Sequence, residues 1–341
     1  MKVVVPLEWC EWTKWVSNVD YTIIRNSGVF HVFRIYDPRH AGAFLFYTFA
    51  SFMKAGFVTI FGRPNAGKST LLNALMGEKL AIVSPKVQTT RHRIKGILTE
   101  PGYQVIFSDT PGIIEPKYKL QEKMMHAVRQ ALEDTDLALL LVSIQENWEE
   151  VNEVFESLHL KVPALVVINK TDEAGERKKE QAFAFFSSKT YCKSVAGISA
   201  LKGKGVKELI QQILQYLPEG EPFFEEDQLT DLSTRFFVAE IIREKIFYLY
   251  EEEIPYHATV LVQEFKEKET LVKIQADIIV QRESQKIIMI GEGGKKIKEL
   301  GTQARKDIEA FIGRKVFLEL LVKVRERWRD NDIYLKEYGY L

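Results

Sequence analysis

Between Gly56 and about Leu217, short apolar runs alternate with longer stretches in which apolar residues recur every three or four positions. The runs Phe57–Phe61, Tyr103–Ser108, Leu137–Ser143, Ala164–Asn169 and Ser194–Ile198 are too short and continuous for helices and read as buried strands. Ser69–Met76, Gln121–Glu133, Glu149–Leu158, Glu176–Ser188 and Val206–Tyr216 carry the helical period. Strand–helix alternation of this kind predicts an α/β domain with a mostly parallel sheet and helices on both faces. The segment LPEGEPFFEEDQLTDL, Leu217–Leu232, is acidic, holds Pro and Gly, and has no strong period, so residues 218–232 read as a linker. Beyond it the order changes. A helix over Ser233–Tyr250 precedes strands at His257–Phe265 and Thr270–Gln281, joined by the charged turn Lys266–Glu269. Two helices flanking Gly291–Gly294 and a strand at Lys315–Val324 complete an α-β-β-α-α-β module of the smaller α+β kind.

Residues 1–52 fit neither pattern. They contain Trp9, Trp12 and Trp15 among scattered charges, and resemble neither a secretory signal nor a transit peptide. Order resumes at Met53, which the reading takes as the true start, with 1–52 an unassigned extension; a native peptide from residues 1–50 in a mass spectrum would refute this. The domain division is therefore 53–217, linker 218–232, and 233–341.

Composition narrows the class without naming it. Lys plus Arg and Asp plus Glu each number 47, which argues against non-specific nucleic-acid binding by the whole molecule but leaves room for a basic patch. The two cysteines, Cys10 and Cys192, have neither disulfide nor metal spacing, as in a reducing compartment. The most apolar stretch, Ala41–Met53, falls short of the roughly 20 residues of a membrane span.

The chemistry starts at Gly62-Arg-Pro-Asn-Ala-Gly67-Lys68-Ser69, a G-x-x-x-x-G-K-[ST] loop between a predicted strand and a predicted helix. Its glycines let backbone N–H groups and a helix N-terminus face phosphates. Lys68 then reaches the β- and γ-phosphates and the Ser69 hydroxyl sits on Mg²⁺, with Asn65 and Thr70 completing the cradle. Asp109-Thr-Pro-Gly112 follows a strand: Asp109 can hold the metal, and Gly112 can offer its N–H to the γ-phosphate. Between these lies Gln88-Thr-Thr-Arg-His92, where a threonine, Thr90 in preference to Thr89, can ligate Mg²⁺ only with the γ-phosphate present. Ser69, Thr90 and Asp109 are thus the expected metal set, and Lys68, Thr90 and Gly112 the expected catalytic set.

Asn169-Lys-Thr-Asp172 selects the base. The Asp172 carboxylate can accept from guanine N1–H and its exocyclic amine; adenine would leave it facing a lone pair, which supports discrimination on the order of 10⁴. Asn169 braces the loop, the Lys170 stem covers the ring, and Ser199-Ala200 offers a backbone N–H to guanine O6. The residue after Gly112 is Ile113, which cannot orient a water as the glutamine of Ras-like switches does. Slow intrinsic turnover, raised by a partner, follows. Arg91 and His92 are open to two readings, as water-positioning groups or as solvated switch-loop side chains.

In the C-terminal module, Gly291-Glu-Gly293-Gly294 lies between two helices with Lys286, Lys295, Lys296, Lys298 and Arg305 around it. A G-x-x-G loop admits a nucleic-acid backbone, cations bind its phosphates, and an apolar groove takes about four splayed bases, the KH mode. Most of Ile287, Ile288, Ile290, Ile297 and Leu300 is assigned to the core by helical period. Glu292 is a poor phosphate neighbour. The charged stretch Lys323–Asp332 reads as a solvated helix start rather than a second binding site.

Together, GRPNAGKSTLLNAL, QTTRHRIKGI, DTPG, NKTD, VAEIIREKIFYLYEEEIP and KIIMIGEGGKKIKELGTQAR resemble the Era family from Lys54 to Leu341. The resemblance implies a P-loop GTPase domain followed by a type II KH domain, with Mg²⁺ and GTP. It implies binding of 16S rRNA near its 3′ end and help in assembly of the 30S ribosomal subunit. It also implies a monomer in the cytoplasm, peripheral on the inner membrane surface, and agrees with an apolar residue at Ile113. The alternative is another RNA-directed GTPase, acting in tRNA modification or large-subunit assembly. The first would carry a C-terminal catalytic cysteine; a tandem large-subunit factor would carry two phosphate loops.

Overall fold

The computed structural model describes residues 53–84 and 86–340, together with the backbone of three antiparallel strands, β1 (Tyr21–Asn26), β2 (Val29–Arg34) and β3 (Tyr47–Phe49). No element is expected there from the sequence; the rest of the expected extension, 1–52, lies outside the described residues.

The first domain is built on β4 (Met53–Phe61), β5 (Ile94–Glu100), β6 (Tyr103–Asp109), β7 (Leu137–Ser143), β8 (Ala164–Asn169) and β9 (Cys192–Gly197), in the order β5-β6-β4-β7-β8-β9. All neighbours are parallel except β5 with β6. Helices α1 (Lys68–Met76), α2 (Lys119–Glu133), α3 (Trp148–Ser157), α4 (Glu176–Ser187) and α5 (Val206–Leu214) cover both faces. Each central strand is buried on both sides, as a helix-covered parallel sheet requires; Leu137–Ser143 has no exposed residue. β5 was not expected. Its charged residues, Lys95 and Glu100, mask a strand that forms because β6 offers it an antiparallel edge.

The linker does not hang free. A two-residue strand β10 (Glu219–Gly220) pairs with the start of β4, and the next stretch runs along β5, with Ile97 N–H donating to the Leu229 carbonyl (2.8 Å) and Thr230 Oγ1 to the Lys95 carbonyl (2.7 Å). An otherwise open sheet edge is thereby covered.

The second domain contains α6 (Thr234–Leu249), a short α7 (Ile254–His257), β11 (Thr259–Glu267), β12 (Val272–Val280), α8 (Glu283–Ile290), α9 (Lys295–Ile312) and β13 (Val316–Val324). β11 and β12 are antiparallel, β12 and β13 parallel. Val272, Ile274, Ala276, Ile278 and Val280 point to the helices and form its core with Ile242, Ile246, Leu300 and Ile308.

Two expectations fail here. Ile287 and Ile288 are exposed and only Leu300 of the apolar set is fully buried, because α8 faces the sheet through Gln285 and Met289 instead. Residues 323–332 are no solvated helix start: β13 runs to Val324, and the following turn drives Trp328, fully buried, against the first domain. Trp328, Leu335, Tyr338 and Tyr340, the last three on or just after α10 (Asp332–Glu337), share one apolar cluster with Phe61, Met124 and Leu140. The C-terminal tail therefore seals the two domains together.

Candidate functional site

β4 ends at Phe61 and α1 begins at Lys68, so Gly62–Gly67 forms a loop at a strand end with the unpaired N–H groups of α1 facing it. Gly67 must be glycine: φ is 101°, and a Cβ would lie 2.3 Å from Asn169 Nδ2. Lys68, 6% exposed, donates to the carbonyls of Gly62 (3.1 Å) and Arg63 (3.0 Å). Burial lowers its pKa, opposed by the neighbouring Asp109 carboxylate.

Ser69, Thr90 and Asp109 come together as expected. Ser69 Oγ donates to Asp109 Oδ2 (2.7 Å), Thr90 Oγ1 donates to the same oxygen (3.1 Å), and the two hydroxyls are 2.8 Å apart. Asp109 is fully buried, which raises its pKa, and its Oδ1 has no partner. Three convergent hard oxygens around a buried, half-satisfied carboxylate fit a small divalent cation. Asn65, Thr70 and Gly112 line the same cavity as Lys68 and Thr90. Gly112 packs on the phosphate loop so closely that a Cβ would meet Pro64 N at 2.9 Å. Ile113 turns instead into the apolar cluster under α2, with its N–H donating to the Gly62 carbonyl (3.2 Å).

Asn169, 2% exposed, ties three loops together: Nδ2 donates to the Ala66 carbonyl (2.9 Å) and Oδ1 accepts from Ala200 N–H (3.0 Å). Ser199 N–H donates to the Lys204 carbonyl (3.0 Å), so the Ser199 and Ala200 backbone N–H groups, of which one was expected to meet guanine O6, are each engaged within the protein. Lys170 has the left-handed backbone (φ 60°) that turns the chain after β8. Asp172 pairs with Lys202 (2.9 Å), a residue the sequence reading passed over; that contact brings its pKa down to about 2 and keeps it ionised.

Arg91 and His92 neither position water nor stand in solvent. Arg91 is 4% exposed, and its guanidinium donates to the carbonyls of Ala258 (2.8 Å), Pro255 (3.0 Å) and Tyr256 (3.0 Å). His92 stacks on Tyr340 (ring centroids 4.5 Å), and burial lowers its pKa to about 4, leaving it neutral. Both are interdomain contacts, a role that no local pattern reveals.

In the second domain, Gly293 (φ 57°) and Gly294 (φ 77°) make the left-handed turn between α8 and α9, open to solvent on the side a backbone would approach. Gly291 precedes them and closes on Lys296, whose Nζ lies 5.8 Å from the centre of the Tyr250 ring. Lys295, Lys298 and Arg305 are exposed and share one side of α9, within roughly 80° of arc. Lys286 pairs with Glu283 (3.2 Å), and Glu292 contacts Lys295 only at 3.9 Å. The exposed Ile287 and Ile288 add apolar surface on the α8 side of this loop.

The comparisons agree with this geometry. Residues 57–170 match the family model described as 50S ribosome-binding GTPase, and 253–329 match that of the KH domain. GTPase Era of Clostridium botulinum (strain Hall) is 45% identical over 296 residues, covering 84% of this chain and 98% of the relative. GTPase Era of Caldanaerobacter subterraneus subsp. tengcongensis is 44% identical over 300 residues, with the same coverage. The crystal structure of Era with MgGDPNP and nucleotides 1506–1542 of 16S ribosomal RNA superposes with a TM-score of 0.81 at 42% identity, covering 84% of this chain and 99% of that one. A variant of Aquifex aeolicus Era bound to GDP·AlF₄⁻ gives the same values. A phosphate loop, an Asn–Asp base reader and a G-x-x-G module in one chain, at this identity over this length, place the protein in the Era GTPase family.

Proposed function

We propose that the chain is a GTP-hydrolysing switch that binds 16S rRNA near its 3′ end and assists assembly of the 30S subunit. The observation that carries the reading is the convergence of Ser69, Thr90 and Asp109 beside Lys68 in a chain that also presents the open Gly293–Gly294 turn. Residues 53–217 form the GTPase unit and 233–341 the RNA-binding unit, joined by 218–232. By its family, the protein works as a monomer in the cytoplasm and touches the inner membrane only peripherally; among the described residues no helix is long and apolar enough to cross it.

The residues divide the work. Phosphates lie along the N–H groups of Gly62–Ser69, with Lys68 on the β- and γ-groups and the Gly112 N–H on the γ-group. Ser69, Thr90 and Asp109 would hold Mg²⁺, which supplies charge neutralisation on the phosphate oxygens when bound. Asp172, ionised, reads guanine, and Asn169 fixes the distance between base and phosphate loops. With Ile113 turned away, no side chain at that position orients water, so the isolated protein turns over slowly. On the RNA side, Gly291, Gly293 and Gly294 admit the backbone, Lys286, Lys295, Lys296, Lys298 and Arg305 neutralise it, and Ile287 and Ile288 face the bases.

The test is binding of a labelled RNA copy of the 16S 3′ end with GDPNP or GDP, for wild type and Gly293→Asp/Gly294→Asp. Tighter binding with GDPNP, lost in the double variant, supports a GTP-gated RNA switch. Equal binding with both nucleotides, or no effect of the variant, refutes it.

A further inference from the structure

The chain between α1 and β5 carries Thr90, yet many of its polar contacts go to the other domain. Lys79 pairs with Glu244 of α6 (2.7 Å), and Val83 N–H donates to the same carboxylate (3.2 Å). Lys86 Nζ donates to the carbonyls of Phe247 (2.7 Å) and Tyr250. Arg243, held by Glu240 (2.6 Å), donates to the Thr89 carbonyl (2.5 Å). Arg91 reaches across to the carbonyls of Pro255, Tyr256 and Ala258, with its guanidinium 6.0 Å from the centre of the Trp328 ring.

We infer that Arg91 is a positioning residue for Thr90: it ties the γ-phosphate-sensing threonine to the docked position of the RNA-binding domain. The peptide on one side of Thr90 is held by Arg243, and the Arg91 side chain on the other is held by the carbonyls of Pro255, Tyr256 and Ala258, all four on the second domain, while the Thr90 hydroxyl faces Ser69 and Asp109. With only one residue between the two anchors, Thr90 cannot leave the metal set without loosening one of them. The residue type supports the assignment. Among the described residues Arg91 makes no direct ion pair; a buried guanidinium of this kind is tolerable only when its N–H groups are satisfied, and a fork of five donors can meet three carbonyls where an ammonium cannot match the geometry. A bond that only held domains together could lie anywhere along the interface; this one adjoins Thr90. By linkage, whatever draws Thr90 inward strengthens docking by the same factor that docking strengthens its binding.

The inference rests on Thr90 sensing the γ-phosphate, so the experiment includes Thr90→Ala. Affinities of the full chain for fluorescent GDPNP and GDP, with Mg²⁺, are measured for wild type, Thr90→Ala, Arg91→Ala, Arg91→Lys and Lys86→Gln, with hydrogen exchange over residues 86–93. Arg91→Ala is expected to weaken GDPNP about tenfold with GDP within about twofold, within the usual range of coupling between sites. Arg91→Lys should fall between, and Lys86→Gln, half-buried at the far end of the segment, should shift the ratio in the same direction. Exchange over 86–93 should speed up in the GDPNP complex. If Arg91→Ala does not fold, Arg91→Lys and Lys86→Gln decide. An unchanged GDPNP/GDP ratio in folded Arg91 variants, with Thr90→Ala altering it, overturns the positioning role alone. No effect of Thr90→Ala overturns the reading beneath it.

Discussion

Asn169 offers the sharpest quantitative test of the nucleotide site. Its side chain is 2% exposed and bridges the Ala66 carbonyl (2.9 Å) and the Ala200 N–H (3.0 Å). Asn169→Ala removes both bonds while leaving both backbone groups in place. A buried polar group deprived of its partner costs about 1–3 kcal/mol, so the pair costs about 2–6. The space left by the amide admits a water that recovers part of this, and about 3 kcal/mol is the expected loss. Asn169→Asp separates the two bonds. With its carboxylate ionised it keeps an acceptor for Ala200 N–H but sets an oxygen that cannot donate where a donor stood 2.9 Å from the Ala66 carbonyl, so in neutral to alkaline buffer it should be no more stable than the alanine variant. Urea unfolding followed by circular dichroism reads the midpoint at constant slope. GDP titration should show at least tenfold weaker binding, because the phosphate and base loops lose their fixed spacing. An Asn169→Ala loss under about 0.5 kcal/mol, the range of an inert surface change, would refute the bridge as a source of stability. So would an aspartate variant as stable as wild type.

Three further outcomes follow from other residues. Asp172→Asn should weaken GDP on the order of 10²-fold, through loss of two charge-assisted bonds, and improve binding of xanthosine diphosphate, whose C2 oxygen can accept from the new amide; titration with both nucleotides checks the exchange. Gly112→Ala places a Cβ 2.9 Å from Pro64 N, so single-turnover hydrolysis should drop at least tenfold while GDP affinity changes little; equal losses in both would count against a γ-phosphate role. His257 Nδ1 lies 2.6 Å from Gln285 Nε2, an amide donor, and burial first, then Arg329, lowers its pKa to about 4. The unfolded chain takes up this proton near pH 6.5 and the folded one only near 4, so stability falls as pH drops between those values. Melting curves from pH 7 to 5 should fall more steeply for wild type than for His257→Gln, and parallel curves would exclude the effect.

The nucleotide site was legible because its chemistry is local. A phosphate cradle needs glycines at fixed spacing before a helix, and a guanine reader needs Asn and Asp three residues apart at a strand end; both requirements lie within one short window. The G-x-x-G turn was legible for the same reason. Lys202 was missed because only the fold of the loop after β9 brings it to Asp172. β5 was missed because its pairing with β6 overrides a charged, ambiguous sequence.

By itself, then, the sequence determined most of the order of strands and helices, β5 aside, the succession of an α/β part and a smaller α+β part, and the candidates to meet phosphate, metal and guanine, since each follows from periodicity or from spacing along a few residues. Tertiary structure alone decided what the segment around Thr90 touches. Arg91 meets the carbonyls of Pro255–Ala258, His92 meets Tyr340, and Trp328 closes the seam, although more than 160 residues separate the first of these pairs along the chain. A guanidinium that bonds to backbone carbonyls leaves no mark in the sequence of its partner, because every residue has a carbonyl.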